Sequence, residues 1–199
     1  MKKKYMLGLL LGSTAISGVA MADDWSGFYL GAQGGYLNLP STTSSASSDA
    51  ILSGGLLGID VGFDHQFSNN FVLGAVGDWS FVNATGNGVR HGDNFALTLR
   101  NLGRAQLRAG MAVGESNNTL IYLGGGLAVA NLERGGDYNG SNTHLGFVVS
   151  AGVEHKFTPA VSIKAEASYL GLGNKSYGNN GESVGLGGLM ATLGVNFHF

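Results

Sequence analysis

The stretch Leu57-Gly58-Ile59-Asp60-Val61-Gly62-Phe63-Asp64, resumed after a short break by Leu73-Gly74-Ala75-Val76-Gly77-Asp78-Trp79, decides how this chain folds. Leu57, Ile59, Val61 and Phe63 share one parity; Gly58, Asp60, Gly62 and Asp64 share the other. A period of two marks a β-strand with two unlike faces. One face is bulky and apolar, the opposite face small or charged. The pattern recurs down the chain. Ala105, Leu107, Ala109 and Met111 oppose Arg104, Gln106, Arg108 and Gly110. Leu145, Phe147, Val149, Ala151 and Val153 oppose Gly146, Ser150, Gly152 and Glu154, and Val161, Ile163, Ala165 and Ala167 oppose Lys164, Glu166 and Ser168.

Working outward, the alternation predicts eight strands: Trp25 to Leu37, Ile51 to Phe67, Phe71 to Phe81, Phe95 to Val113, Thr119 to Ala130, Thr143 to Phe157, Val161 to Leu170 and Gly185 to Phe199. Between them lie two kinds of connection. Asn38 to Ala50, Val82 to Asn94, Asn131 to Asn142 and Gly171 to Val184 read as long loops rich in Ser, Asn and Gly. Ser68 to Asn70, Gly114 to Asn118 and Thr158 to Ala160 read as tight turns. Strict alternation of long and short is what an antiparallel up-and-down meander produces when one end carries the variable loops.

A soluble eight-stranded meander has the same count, so the face chemistry must separate the two. Ten charged residues fall within the predicted strands: Asp60, Asp64, Asp78, Glu154 and Glu166 against Arg100, Arg104, Arg108, Lys156 and Lys164. All ten sit on the parity opposite the apolar set. Charge facing lipid near the bilayer midplane costs about 2–4 kcal/mol for Arg or Lys, so these side chains are expected inside, paired across a narrow tube. Eight strands enclose room for side chains only, which favours a polar plug over a conducting passage. Asn101 and Leu102 break the parity, and the fourth strand is about twice the 9–11 residues of a membrane crossing, so its first half is expected to project beyond the bilayer. Outward aromatics cluster near the short turns (Phe67, Phe71, Phe157, Phe197, Phe199) and near the long loops (Tyr36, Trp79, Phe81, Tyr169), as two interfacial girdles would.

Composition narrows the function. The 199 residues are 44% apolar and only 12% charged, with 35 Gly, 2 Pro, no Cys and a net charge of −2. That charge, with no basic stripe, argues against nucleic-acid binding. Without cysteine there is no disulfide framework and no thiol chemistry. Residues 1–22 read as a secretory signal peptide: Lys2, Lys3 and Lys4, an apolar core from Tyr5 to Ile16, then Ala20-Met21-Ala22 with small residues at both positions before the cleavage point. Residues 23–199 then form one barrel domain. His65, His91, His144, His155 and His198 lack metal-ligand spacing, and no catalytic, cofactor or metal site is expected. Asp137, Asn139 and Ser141 have the spacing of a calcium loop, but Asn142 and Val148 stand where the turn glycine and bidentate glutamate belong.

The chain resembles the small eight-stranded outer-membrane β-barrels of Gram-negative bacteria, the OmpA-like "porin family" barrel domain. The resemblance rests on Trp25-Ser26-Gly27-Phe28-Tyr29-Leu30-Gly31, Gly152-Val153-Glu154-His155-Lys156-Phe157, Ile163-Lys164-Ala165-Glu166-Ala167-Ser168-Tyr169 and the terminal Gly194-Val195-Asn196-Phe197-His198-Phe199. It implies an all-β transmembrane barrel in the outer membrane, in contact with lipid and lipopolysaccharide. It also implies that Phe197 and Phe199 form the signal read by the barrel-assembly machinery. The expected role is a structural one in the envelope, with four loops at the surface. The alternatives are a loop-borne adhesin or host-factor binder, a small diffusion porin and, last, a lipid-modifying enzyme.

Overall fold

Strands with one apolar and one polar face leave their backbone groups unpaired at any open edge, and a lipid environment offers nothing to pair them with. Closure removes the edge. In the computed structural model, which describes residues 24–43, 51–90, 93–135, 140–177 and 182–199, eight antiparallel strands form a closed barrel in chain order. They are β1 (Gly27–Thr43), β2 (Ile51–Gln66), β3 (Phe71–Arg90), β4 (Asp93–Val113), β5 (Thr119–Gly135), β6 (Gly140–Thr158), β7 (Val161–Tyr177) and β8 (Glu182–His198). The seam pairs β1 with β8, from Tyr29 opposite His198 to Thr43 opposite Val184. The predicted signal peptide, including Ala20 and Ala22, lies outside the described residues.

The short connections are where the sequence places them. Asn70 (φ 63°), Asn117 (φ 52°) and Gly114 (φ 96°) adopt the left-handed conformation that a tight reversal needs, and Asn and Gly tolerate it best. The long connections are a correction. Most of the residues read as loops are strand: β3 runs on to Arg90, β4 starts at Asp93, β5 reaches Gly135 and β7 reaches Tyr177. Only 44–50, 91–92, 136–139 and 178–181 remain between the strands at that end, and they lie outside the described residues.

The strands outrun their apolar stretches for a physical reason. From Phe71 to Phe81 the outward side of β3 is apolar, and its ten residue-to-residue steps of ~3.4 Å tilted ~40° span about 26 Å, matching the ~25 Å apolar band of outer-membrane barrels. Beyond Phe81 the faces exchange chemistry. Asn83, Thr85 and Asn87 point out while Val82 and Ala84 are buried. The same exchange occurs at Asn38 beside Leu37 and Leu39, at Thr98 between Leu97 and Leu99, and at Glu133 beside Leu132. In the band the outer solvent is hydrocarbon; above it the outer solvent is water. One continuous barrel is therefore inside-out in its lower part and ordinary in its upper part. The alternation never stops, but its sign reverses.

Candidate functional site: a filled lumen

The lumen has three layers. At the short-turn end Trp25, Val72, Ala112, Leu120 and Tyr122 make a small apolar cluster. Trp25 is 1% exposed; its ring nitrogen donates to the Asn117 carbonyl at 2.8 Å, and its backbone N–H donates to Gln66 Oε1 at 3.0 Å. The Lys156 ammonium lies 4.8 Å from the indole centroid and donates to the Asp24 carbonyl at 2.6 Å. At the long-hairpin end Leu37, Leu39, Leu52, Leu56, Leu97, Leu99, Leu102, Leu132, Leu170, Leu172, Leu186 and Met190 form the main apolar cluster. The charged residues lie between.

Arg108 is the centre of the charged layer. Its Nε donates to Asp64 Oδ1 at 2.8 Å, its Nη2 to Asp64 Oδ2, and its Nη1 to Glu154 Oε2 at 2.9 Å. The guanidinium is sandwiched between the rings of Tyr29, at 4.7 Å, and Tyr122, at 5.1 Å. Arg104, four residues up the same strand, likewise bridges two acids. Its Nε reaches both Asp78 oxygens at 3.0 Å, and its Nη1 reaches Glu166 Oε1 at 2.9 Å and Ser168 Oγ at 3.0 Å. Lys164 donates to Asp60 Oδ2 at 2.7 Å. Neutral groups complete the layer: Tyr122 donates to Glu166, Gln33 to Asp78 and Asn196 to Glu154. Such charges stay buried only when both the partner and the remaining lone pairs are supplied.

The structure thus gathers eight of the ten sequence-selected charges in the interior layer: Asp60, Asp64, Asp78, Arg104, Arg108, Glu154, Lys164 and Glu166. Arg100 is a correction. β4 carries a bulge against β5 at this point, where Leu99 pairs with Leu132 and Asn101 with Asn131. The additional residue turns Arg100 outward, where it meets Glu133 at 3.0 Å with both side chains more than half exposed. Leu102 keeps the inward parity of Arg104 and is fully buried in the leucine layer, so the Asn101–Leu102 exception comes from the exchange of chemistry between the two faces above the apolar band, not from the bulge. Lys156 sits at the short-turn mouth against Asp24 and Trp25 rather than in the charged layer. Phe197, near the end of β8, and Phe199, just after it, lie on the outer face, both about half exposed.

Two features escaped sequence reading. The first is a repeat, Gly62-Phe63-Asp64-His65-Gln66-Phe67-Ser68 and Gly152-Val153-Glu154-His155-Lys156-Phe157-Thr158, accompanied by Tyr29-Leu30-Gly31 and Tyr122-Leu123-Gly124. In space the two acids and the two tyrosines converge on Arg108 from opposite strands. A Cβ at Gly62 or at Gly152 would collide with the Tyr29 or Tyr122 ring respectively, so each glycine makes room for one side of the sandwich. The second is a Ser-His-Glu contact. Ser162 Oγ donates to Glu154 Oε1 at 2.5 Å and lies 2.9 Å from His198 Nε2. It is not wired for nucleophilic catalysis: the serine proton is committed to the carboxylate, and Glu154 approaches the same ring nitrogen, at 3.4 Å, rather than the opposite one. Ser162 and Glu154 are fully buried. His155 lies near the outer face, bonded to Thr119 at 2.8 Å and edge-on to Phe157 at 5.0 Å.

A closed antiparallel barrel with an apolar outer band, aromatic rims and charges turned to its axis defines an integral outer-membrane β-barrel. Residues 7–199 match the outer membrane protein beta-barrel domain family, and the chain belongs to it. Among solved structures it is similar to Neisserial surface protein A, with 21% identity, 87% of this chain and 98% of that one covered, and a TM-score of 0.51. It is likewise similar to the outer membrane protein OprG of Pseudomonas aeruginosa, with 10% identity, 89% and 98% covered, and a TM-score of 0.53. The attachment invasion locus protein Ail of Yersinia pestis is 14% identical over 87% of this chain and 99% of that one, with a TM-score of 0.46. Comparison with curated protein sequences gives no match. The protein resides in the outer membrane.

Proposed function

We propose that this protein is a non-conducting, non-enzymatic barrel whose role is structural: it helps maintain the outer-membrane envelope and displays the hairpins it holds above the lipid. The observation that carries this reading is the lumen, filled from the Trp25 cluster through the ion-pair layer to the leucine layer. A passage for ions needs a continuous wet path, and an apolar layer at each end of the charged one interrupts it. The outward band and its aromatic rims suit contact with lipid and lipopolysaccharide, and Phe197 and Phe199 suit recognition by the barrel-assembly machinery.

Purified barrel in planar bilayers tests the reading: no unitary current steps are expected, and steady ohmic conductance by the native chain would overturn it. In cells, removing the protein should sensitise the envelope to detergent. A variant with shortened hairpins should restore the barrier if the barrel itself is what matters. The height of the hairpins favours a second reading, a surface-binding role. β3 is 20 residues long, about 50 Å along the axis, so roughly half of it stands above the apolar band. Loss of host-surface binding on trimming 82–94 or 171–184, with unchanged detergent resistance, would favour that reading instead.

A further inference from the structure

Among the described residues, five buried side-chain oxygens have no hydrogen-bond partner: Tyr29 Oη, Gln33 Oε1, Asp60 Oδ1, Thr192 Oγ1 and Asn196 Oδ1. All five belong to β8, β1 and β2, three adjacent strands. Gly31 organises them. It pairs with Asp60 on one side and with Asn196 on the other, while Tyr29 and Gln33 are the inward residues just below and just above it on β1. Gly31 brings no side chain to this row. A point one bond length inward from its Cα lies 2.6 Å from Asp60 Oδ1 and closer still to Asn196 Oδ1. Two unpartnered oxygens, on residues 2% and 0% exposed, thus converge on the space directly over Gly31.

The charge of the layer points the same way. Its carboxylates are Asp60, Asp64, Asp78, Glu154 and Glu166, and its permanent cations are Arg104, Arg108 and Lys164. A charged imidazole at His198, 3.4 Å from Glu154, would offset one of the two surplus negatives and leave the other. Arg100 and Lys156, which balance the signs in the sequence, lie on the outer wall and at the mouth. Apolar layers above and below keep bulk water from dispersing the excess, and an uncompensated buried carboxylate is strongly unfavourable. A water molecule beside Gly31 would satisfy the oxygens but leave the charge. A hard cation satisfies both, since carboxylate and amide oxygens are its natural ligands. Lys164 already occupies Asp60 Oδ2, so the site suits a single positive charge, not two.

We propose that the volume beside Gly31 is a binding site for one sodium ion, held by Asp60 Oδ1 and Asn196 Oδ1. The test uses the full folded barrel in detergent, melted at constant ionic strength while sodium replaces N-methylglucamine, a cation too large to enter. The melting temperature should rise by about 3–6 °C per tenfold increase in sodium above the dissociation constant. Gly31→Ala, whose methyl would push against both oxygens, should abolish that slope. If Gly31→Ala does not fold, a crystal of the native barrel grown in sodium decides: oxygen ligands at about 2.4 Å support the site. Melting independent of sodium, or a peak beside Gly31 with hydrogen-bond distances of about 2.8 Å, overturns it in favour of water or a proton.

Discussion

Replacing Arg108 by alanine removes the cation that serves both Asp64 and Glu154, whose side chains are fully buried. It also empties the space between Tyr29 and Tyr122. Breaking a buried pair by deleting one partner costs about 3–5 kcal/mol, because the other charge stays behind without compensation. Two carboxylates are stranded here, although Ser162 and Asn196 still donate to Glu154, so the upper half of that range is expected. At an m-value of about 2 kcal/mol per M, the urea midpoint should fall by about 2–2.5 M. Unfolding of the barrel in vesicles, followed by tryptophan fluorescence and by loss of heat-modifiable gel mobility, measures it. The triple change Arg108→Met, Asp64→Asn and Glu154→Gln, which removes the charges together, should recover most of the loss. A midpoint for Arg108→Ala within about 0.5 M of the native chain would show that the pairs around Arg108 are not what holds the charged layer together.

Arg100→Ala should change stability by less than about 1 kcal/mol in the same assay, since its partner Glu133 is solvated and the pair is exposed. Leu123→Arg, placing a cation on the outer face in the apolar band, should cost about 2–4 kcal/mol; Asn83→Arg, outward but above the band, should be near neutral, and equal effects would refute the change of solvent assigned between them. Leu132→Ala opens a cavity in the upper leucine layer and should cost about 2–5 kcal/mol, seen first as faster protease nicking of the hairpins on intact cells while the lower barrel stays folded. Gly62→Ala and Gly152→Ala should each slow or prevent folding, measured as the fraction reaching the heat-modifiable form, because the added methyl meets the Tyr29 or the Tyr122 ring.

Much of the barrel was legible in the residues, and the illegible parts share one cause. Strand number, meander order and the facing of Asp60, Arg104 or Glu166 follow from alternation, because a two-residue period assigns a face without reference to any other strand. Asn83, Thr85, Asn87 and Glu133 give their stretches of β3 and β5 the composition of loops when lipid is assumed on the outside, although each is an outward residue of a strand. Parity alone turns Arg100 inward, because a bulge is a relation between two strands and one strand's alternation cannot report it. The Arg108 sandwich was hidden differently: its signal was present in the two Gly-apolar-acid-His-polar-Phe segments 90 positions apart, but their meaning appears only when β2 and β6 stand on opposite walls of the tube.

The amino-acid order alone determined that there are eight strands, which side of each is greasy within the lipid band, and that the charges turn inward. These are local choices, settled residue by residue by the cost of placing an ionised group in hydrocarbon. Closure decided the rest: which acid meets which base, where the polar core gives way to leucine, and that five carboxylates share three permanent cations. Pairing is set by register and curvature, which exist only once β1 has met β8.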